Sequence, residues 1–198
     1  MNIDMIEFIK SRRSTRKFKT DSIEREIINT VIEAGRYAPS GGNCQSTHFI
    51  VITDKKVLNE LSAVVAEELK HMDIVEEMNK SLKYAILASR KGKYIFHYNA
   101  PVLIVVTNKK NNGNNMADCS CALENMMLMA NALDLGSCWI NQLKWLNENV
   151  AIENYLKTIG MEGTENVYGA LALGMPDSKD GLPNREPLER TGNLVTWR

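Results

Sequence analysis

Residues 36–53 read RYAPSGGNCQSTHFIVIT. Pro39 ends the helical pattern that precedes it, because the residue before a proline is pushed out of the α region. Thr47 to Thr53 have the length and apolar content of a buried strand. Between them Pro39, Ser40, Gly41, Gly42, Asn43, Cys44 and Gln45 concentrate turn-formers and amides. Gly41 and Gly42 allow the backbone to approach a flat ligand closely. Ser40, Asn43 and Gln45 bring paired donors and acceptors. An ordinary helix-to-strand loop has a similar composition, so the turn alone leaves both readings open.

Upstream, Ile27, Ile28, Val31, Ile32 and Gly35 recur with helical period, and Asp21 and Glu24 have the spacing of a helix start. Residues 3–11, with Ile3, Met5, Ile6, Phe8 and Ile9, predict a short amphipathic helix. Downstream, Asp54 is placed to cap a helix whose stripe is Val57, Leu58, Leu61, Val64 and Val65. Residues 72–90 carry a weaker helical stripe of Ile74, Met78, Leu82 and Ile86. After Pro101, VLIVVT is a continuous apolar run, as expected of a strand covered on both faces. Residues 116–135 predict the strongest helix, with Ala122, Met126, Met129 and Leu133 on one side and Gly136 ending it. Residues 148–159 predict another helix and VYGALALG a last buried strand. Beyond Met175 the prolines Pro176, Pro183 and Pro187 predict an irregular or extended tail. Apolar strands separated by long helices give an α+β or α/β layered domain with a small sheet, residues 1–198 as one domain.

The 198 residues include 44% hydrophobic side chains, enough for a real core. Lys and Arg (24) cancel Asp and Glu (24), which argues against nucleic acid as a partner. Cys44, Cys119, Cys121 and Cys138 form no CxxC pair and no zinc spacing, so reduced thiols and no metal are expected. Asp4 and Glu7 interrupt what a signal peptide would keep apolar, and no run approaches the ~20 apolar residues of a membrane span. A soluble cytoplasmic protein with no membrane partner is the expectation.

Three further segments carry polar chemistry. In RRSTR, an extended backbone would aim Arg12, Ser14 and Arg16 to one side, with Arg13 beside them. Guanidinium forks and a hydroxyl suit a phosphate, although a basic run also suits a helix C-terminus. In LGSCWINQ, backbone amides around Trp139, Ile140, Asn141 and Gln142 could meet a ligand edge, or the segment is a helix cap followed by a core strand. In LGMPDSKDGLPNREPLE, Gly174 closes a strand and Arg185 lies in a tail. GxGxxG, P-loop and GxSxG motifs are absent, and His48, His71 and His97 have no ligand-like spacing. The Met-rich ENMMLMANAL reads as core filler.

Taken in order, SRRSTRKF, AGRYAPSGGNCQSTHFIVIT, YNAPVLIVV, LENMMLMANALDLGSCWI and ALALGMP…NREPLE resemble the landmarks of the FMN-dependent nitroreductase family over essentially the whole chain. The resemblance implies an α+β layered fold: a small, mostly antiparallel central sheet flanked by helices, in an interlocked homodimer with FMN at the subunit interface. It implies that Arg12, Arg13, Ser14, Arg16 and Arg185 approach the phosphate, ribityl chain and pyrimidine end. Pro39, Ser40, Gly41, Asn43 and Gln45 would reach across from the partner. Trp139, Ile140, Asn141 and Gln142 would lie along the ring, with a backbone amide near Asn141 facing N5, and Gly174 would also belong to the cofactor site. No side chain need act as nucleophile or base; Arg16 and that amide tune the cofactor. The implied activity is transfer of reducing equivalents from NADH or NADPH to a nitroaromatic, quinone or similar flat small-molecule acceptor. Alternatives within the resemblance are a dehalogenase-like or flavin-cleaving enzyme, and a non-catalytic flavin-binding or delivery protein. Ser46, Thr47, Asn141 and Gln142 depart from the family pattern, which commonly has Pro-Trp and Gly-Gly there.

Overall fold

The computed structural model describes residues 4–198; Ile3 of the first expected helix lies outside them. In chain order the elements are α1 (Met5–Ser11), α2 (Arg25–Arg36), a single 3-10 turn at Gly41–Asn43, β1 (His48–Ile52), α3 (Lys55–His71), α4 (Lys80–Arg90), β2 (Val102–Lys109), α5 (Asn115–Ala132), β3 (Gly136–Ile140), α6 (Gln142–Trp145), α7 (Val150–Thr158) and β4 (Glu165–Gly174). The four strands form one sheet, ordered β1-β2-β4-β3, with every neighbouring pair antiparallel.

β2 lies inside the sheet and alternates its side chains between two cores. Leu103 and Val105 face a core filled by Leu58, Leu61, Val65 and Leu69 of α3, Leu82 and Ile86 of α4, and Ile152 and Leu156 of α7. Val102, Ile104 and Val106 face the other, filled by Ile28 and Val31 of α2 and Leu123 and Met126 of α5. The continuous apolar run of β2 is thus explained by helices on both sides, each fully buried aliphatic side chain contributing about 1.5–3 kcal/mol. Gly35 lets α2 approach α5: a Cβ there would lie 2.9 Å from Met126 Cγ.

Asp54 caps α3 as expected, its Oδ1 accepting from the Lys56 and Val57 N–H groups at 2.7 and 3.3 Å. Several details differ from the sequence expectation. Glu24 sits at the start of α2 without a side-chain cap bond. α4 covers only the second half of residues 72–90, because Asn79 Oδ1 takes the Leu82 N–H at 2.8 Å and starts the helix there; Ile74 and Val75 are exposed. α5 ends at Ala132, earlier than expected, so Leu133 caps it and is half exposed. Asp134, not Gly136, takes the left-handed backbone after the helix, at φ 58°. Gly136 opens β3, where a Cβ would meet the Thr15 side chain at 2.7 Å. α1 forms, but Met5, Ile6 and Ile9 of its apolar set are exposed in the single chain.

Candidate flavin-type site

The segment after α1 is extended and covers the free edge of β3. Ser14 bridges Ser137 in parallel, and the Thr15 N–H donates to the Ser137 carbonyl at 2.8 Å. Further on, the Lys19 N–H donates to the Met175 carbonyl at 2.9 Å and Phe18 bridges Pro176. Arg12, Ser14 and Arg16 all lie close enough to Cys138 of β3 to act on its thiol. Burial pushes that thiol's pKa up, and Arg16, Ser14 and Arg12 pull against it.

The tail brings Arg185 to the same end of the fold. Its Nη2 donates to the Asn131 carbonyl and to Asp134 Oδ1, both at 2.6 Å. Asn131 Nδ2 in turn donates to Ser11 Oγ at 2.9 Å, tying the end of α5 to the end of α1. Arg13 donates to the Glu186 carbonyl at 2.5 Å. Arg12 approaches Glu124 at 3.6 Å, too long and too exposed on the acid's side for more than weak steering. Four guanidinium groups therefore gather around the start of the strap, with Ser14 among them. At Gly174, the space of a Cβ is held by Pro101 Cδ at 2.6 Å and by Phe18, so packing demands glycine there.

The polar turn is held from beneath. Asp118, on the first turns of α5 and only 4% exposed, accepts from the Gly41 N–H at 2.9 Å. The same carboxylate takes Asn112 Nδ2 at 3.4 Å and the Cys44 thiol at 3.5 Å. Ser40 Oγ accepts from the Gln45 N–H at 3.1 Å, and Gln45 Nε2 donates to Asn43 Oδ1 at 3.2 Å. Gly42, Asn43 and Gln45 all have positive φ (60°, 53° and 50°). Pro39, Asn43 and Gln45 are exposed, and Ser40 and Gly41 half-buried. The cleft beside the turn, between Pro39, Gln45, Phe49 and Asp118, measures ≈ 150 Å³. That is below the ~300–1,000 Å³ usual for a ligand pocket.

At the end of β3, Trp139 Nε1 donates to Asn141 Oδ1 at 2.9 Å. The Asn141 N–H donates to Gln142 Oε1 at 3.1 Å, and Gln142 Nε2 to the Tyr94 hydroxyl at 2.5 Å. Ile140 is fully buried beneath them. Burial raises the Tyr94 hydroxyl well above its ordinary pKa, so it stays protonated.

One chain thus brings together Arg12, Arg13, Ser14, Arg16 and Arg185 but not the turn at Ser40–Gln45. The turn is anchored at Asp118 and the tail arginine at Asn131, about 20 Å apart along α5 at ~1.5 Å per residue. Sequence reasoning missed Asp118, Asn131 and Tyr94. Polar residues inside the Met-rich helix were the available signal for the first two; nothing local marks Tyr94.

The antiparallel sheet with helices packed on both faces defines an α+β layered protein. The chain belongs to the nitroreductase family, whose sequence model matches residues 9–175. A nitroreductase with bound FMN from Bacteroides fragilis is 31% identical, with a TM-score of 0.85 and complete coverage of both chains. A candidate NADH dehydrogenase/NAD(P)H nitroreductase of Archaeoglobus fulgidus is 28% identical over 179 residues, 89% of this chain and 88% of that one. Iodotyrosine deiodinase 1 of Rattus norvegicus is 28% identical over 105 residues, 52% of this chain and 36% of that one. Among the described residues no helix is long and apolar enough to cross a membrane.

Proposed function

We propose that the protein is an FMN-dependent oxidoreductase of the cytoplasm that passes reducing equivalents from NADH or NADPH to nitroaromatics, quinones or similar flat acceptors. The observation that carries the reading is the donor set. Arg12, Arg13, Ser14, Arg16 and Arg185 converge from two distant parts of the chain, and the 31%-identical relative holds FMN. The chemistry of that set fits: fork-shaped cations and a hydroxyl match a phosphate monoester and the anionic edge of a reduced ring. FMN, when bound, supplies a ring that takes two electrons and gives them up again. Arg12, Arg13 and Arg185 would hold the phosphate end, and Ser14 the chain between phosphate and ring. Arg16 sets positive charge where negative charge develops on reduction. A backbone N–H near Asn141 would meet the ring edge; that of Asn141 would do so in place of its bond to Gln142 Oε1.

The working unit is a homodimer, with Pro39 to Gln45 completing the partner's site. Their separation from the arginines along α5, the undersized cleft beside the turn, and the exposed Met5, Ile6 and Ile9 of α1 support this. If protein covers one ring face, donor and acceptor would take turns on the other, and ping-pong kinetics are the expected outcome. The stretch shared with iodotyrosine deiodinase 1 favours, as a second reading, a specialised flavin enzyme acting on a halogenated aromatic. The test is the visible spectrum of the purified protein, mass identification of the released flavin, and turnover of NADH and NADPH with a quinone, a nitroaromatic and a halophenol. Release of FAD alone, or no flavin even after reconstitution, overturns the proposal. A bound flavin without turnover identifies a carrier.

A further inference from the structure

Gln142 opens α6 and is 8% exposed, and both ends of its carboxamide are engaged. Its Oε1 accepts from the Asn141 N–H at 3.1 Å, and its Nε2 donates to Tyr94 at 2.5 Å. The Asn141 side chain is committed elsewhere, to Trp139 Nε1. The backbone donator of residue 141 therefore already has an acceptor, supplied by its own chain and held in place by a tyrosine from a distant segment. A glycine at 142 has no side chain and supplies no such acceptor.

We infer that Gln142 is a positioning residue that competes with bound FMN for the Asn141 N–H and thereby favours the reduced cofactor. The inference rests on the flavin reading above. The physical reason lies in the ring nitrogen N5. In oxidised flavin it is a bare acceptor. Two-electron reduction places a hydrogen on it and makes it a donor. An N–H aimed at N5 gains a partner only while the flavin is oxidised. In the flavin-free and reduced states that part-buried donor needs another acceptor or goes unpaired, which is costly. Gln142 Oε1 is that acceptor. It stabilises the flavin-free and reduced protein alike and gives nothing to the oxidised complex.

The consequence is directional. Removing the acceptor should tighten binding of oxidised FMN about tenfold and leave reduced FMN nearly unchanged. The midpoint potential then falls by about 30 mV, the equivalent of tenfold for a two-electron couple. Tyr94→Phe, which frees one end of the carboxamide, should move both quantities the same way by a smaller factor.

The experiment uses the wild-type protein, Gln142→Met, which keeps the size and removes the acceptor, and Tyr94→Phe. FMN affinity is measured by fluorescence quenching, aerobically and after dithionite reduction, and the potential by spectroelectrochemical titration. Thermal unfolding checks the fold, and Tyr94→Phe carries the test if Gln142→Met does not fold. A selective gain for oxidised FMN with a lower potential supports the inference. Wild-type binding with an unchanged ratio of the two affinities in the folded variants, or a shift of opposite sign, overturns it and leaves the flavin reading standing. A wild-type protein that binds no FMN overturns both.

Discussion

The carboxylate of Asp118 accepts the backbone N–H of Gly41 at 2.9 Å, joining the buried start of α5 to the turn before β1. This bond, with those from Asn112 and Cys44, anchors a loop that has three residues in left-handed conformation and little packing of its own. Asp118→Ala leaves the Gly41 N–H short of a partner, at a cost of about 1–3 kcal/mol, while the Asn112 amide keeps Ser46 Oγ at 3.0 Å and Asn108 Oδ1 at 3.3 Å. The melting temperature should fall by several degrees, and FMN affinity at least tenfold. Asp118→Asn, which keeps one oxygen, should fall between. Unchanged FMN affinity in Asp118→Ala would remove the turn from the site.

Arg12→Ala and Arg185→Ala should mainly weaken FMN retention, while Arg16→Ala should mainly lower the potential and slow reduction. A phosphate carries the same charge in both redox states, so its contacts bind uniformly; charge beside the ring meets its partner only on reduction. Each lost charged hydrogen bond is expected to cost about 1.5–3 kcal/mol. Titrations of affinity and potential on the three variants check it. Equal effects on both quantities in all three refute the division of roles.

A shared site predicts complementation between subunits. Arg12→Ala with Arg185→Ala in one chain, and Ser40→Ala with Gln45→Ala in another, should each give a dimer with poor flavin retention. Unfolding and refolding the two together produces mixed dimers with one intact site and one doubly damaged site. Flavin content and turnover of the mixture should rise above either parent. No recovery, or sedimentation of a flavin-loaded monomer at micromolar concentration, contradicts the shared site.

Cys44→Ala with Cys138→Ala should keep the flavin and most of the turnover. The Cys138 thiol is raised by burial despite the arginines nearby, so it is no ready thiolate near neutrality. A variant that retains flavin and loses all turnover in the quinone assay would make cysteine chemistry part of the mechanism.

His97 is buried, and among the described residues neither of its ring nitrogens has a hydrogen-bond partner; desolvation lowers its pKa against the weaker pull of nearby backbone at Ala100. A histidine depressed in the folded state costs nothing while both states are neutral, above the unfolded value of about 6.5. Below that the unfolded chain takes up the proton first, so stability falls with pH toward the depressed folded value. His97→Leu should flatten this limb between about pH 6.5 and 5 in thermal melts. An identical pH slope in the variant would assign the acid sensitivity elsewhere.

Much of this protein was legible residue by residue. The stripes of α2 and α3, the Asp54 cap and the two-sided strand β2 are local patterns, set by helical and strand periodicity and by turn chemistry, while the order of five weak motifs spoke only through its resemblance to a family. The four strap and tail arginines were not marked by local pattern alone, since a basic run equally suits a helix C-terminus and Arg185 lies in a charged tail; it was the resemblance of five motifs in order that named them. Tertiary structure decided where those residues meet. Asp118 reaches a turn 77 residues earlier, and Tyr94 meets Gln142 across 48 residues. Contacts at such separation leave no periodic trace, because they depend on how the sheet and helices pack and not on neighbours in the chain. The same holds for Gly136, whose local signal read as a helix end but whose reason is the approach of Thr15. It holds too for the exposed face of α1 and for a turn set far along α5 from its arginines: periodicity marks an apolar or polar surface, but only the folded chain shows which of these surfaces its own packing leaves without a partner.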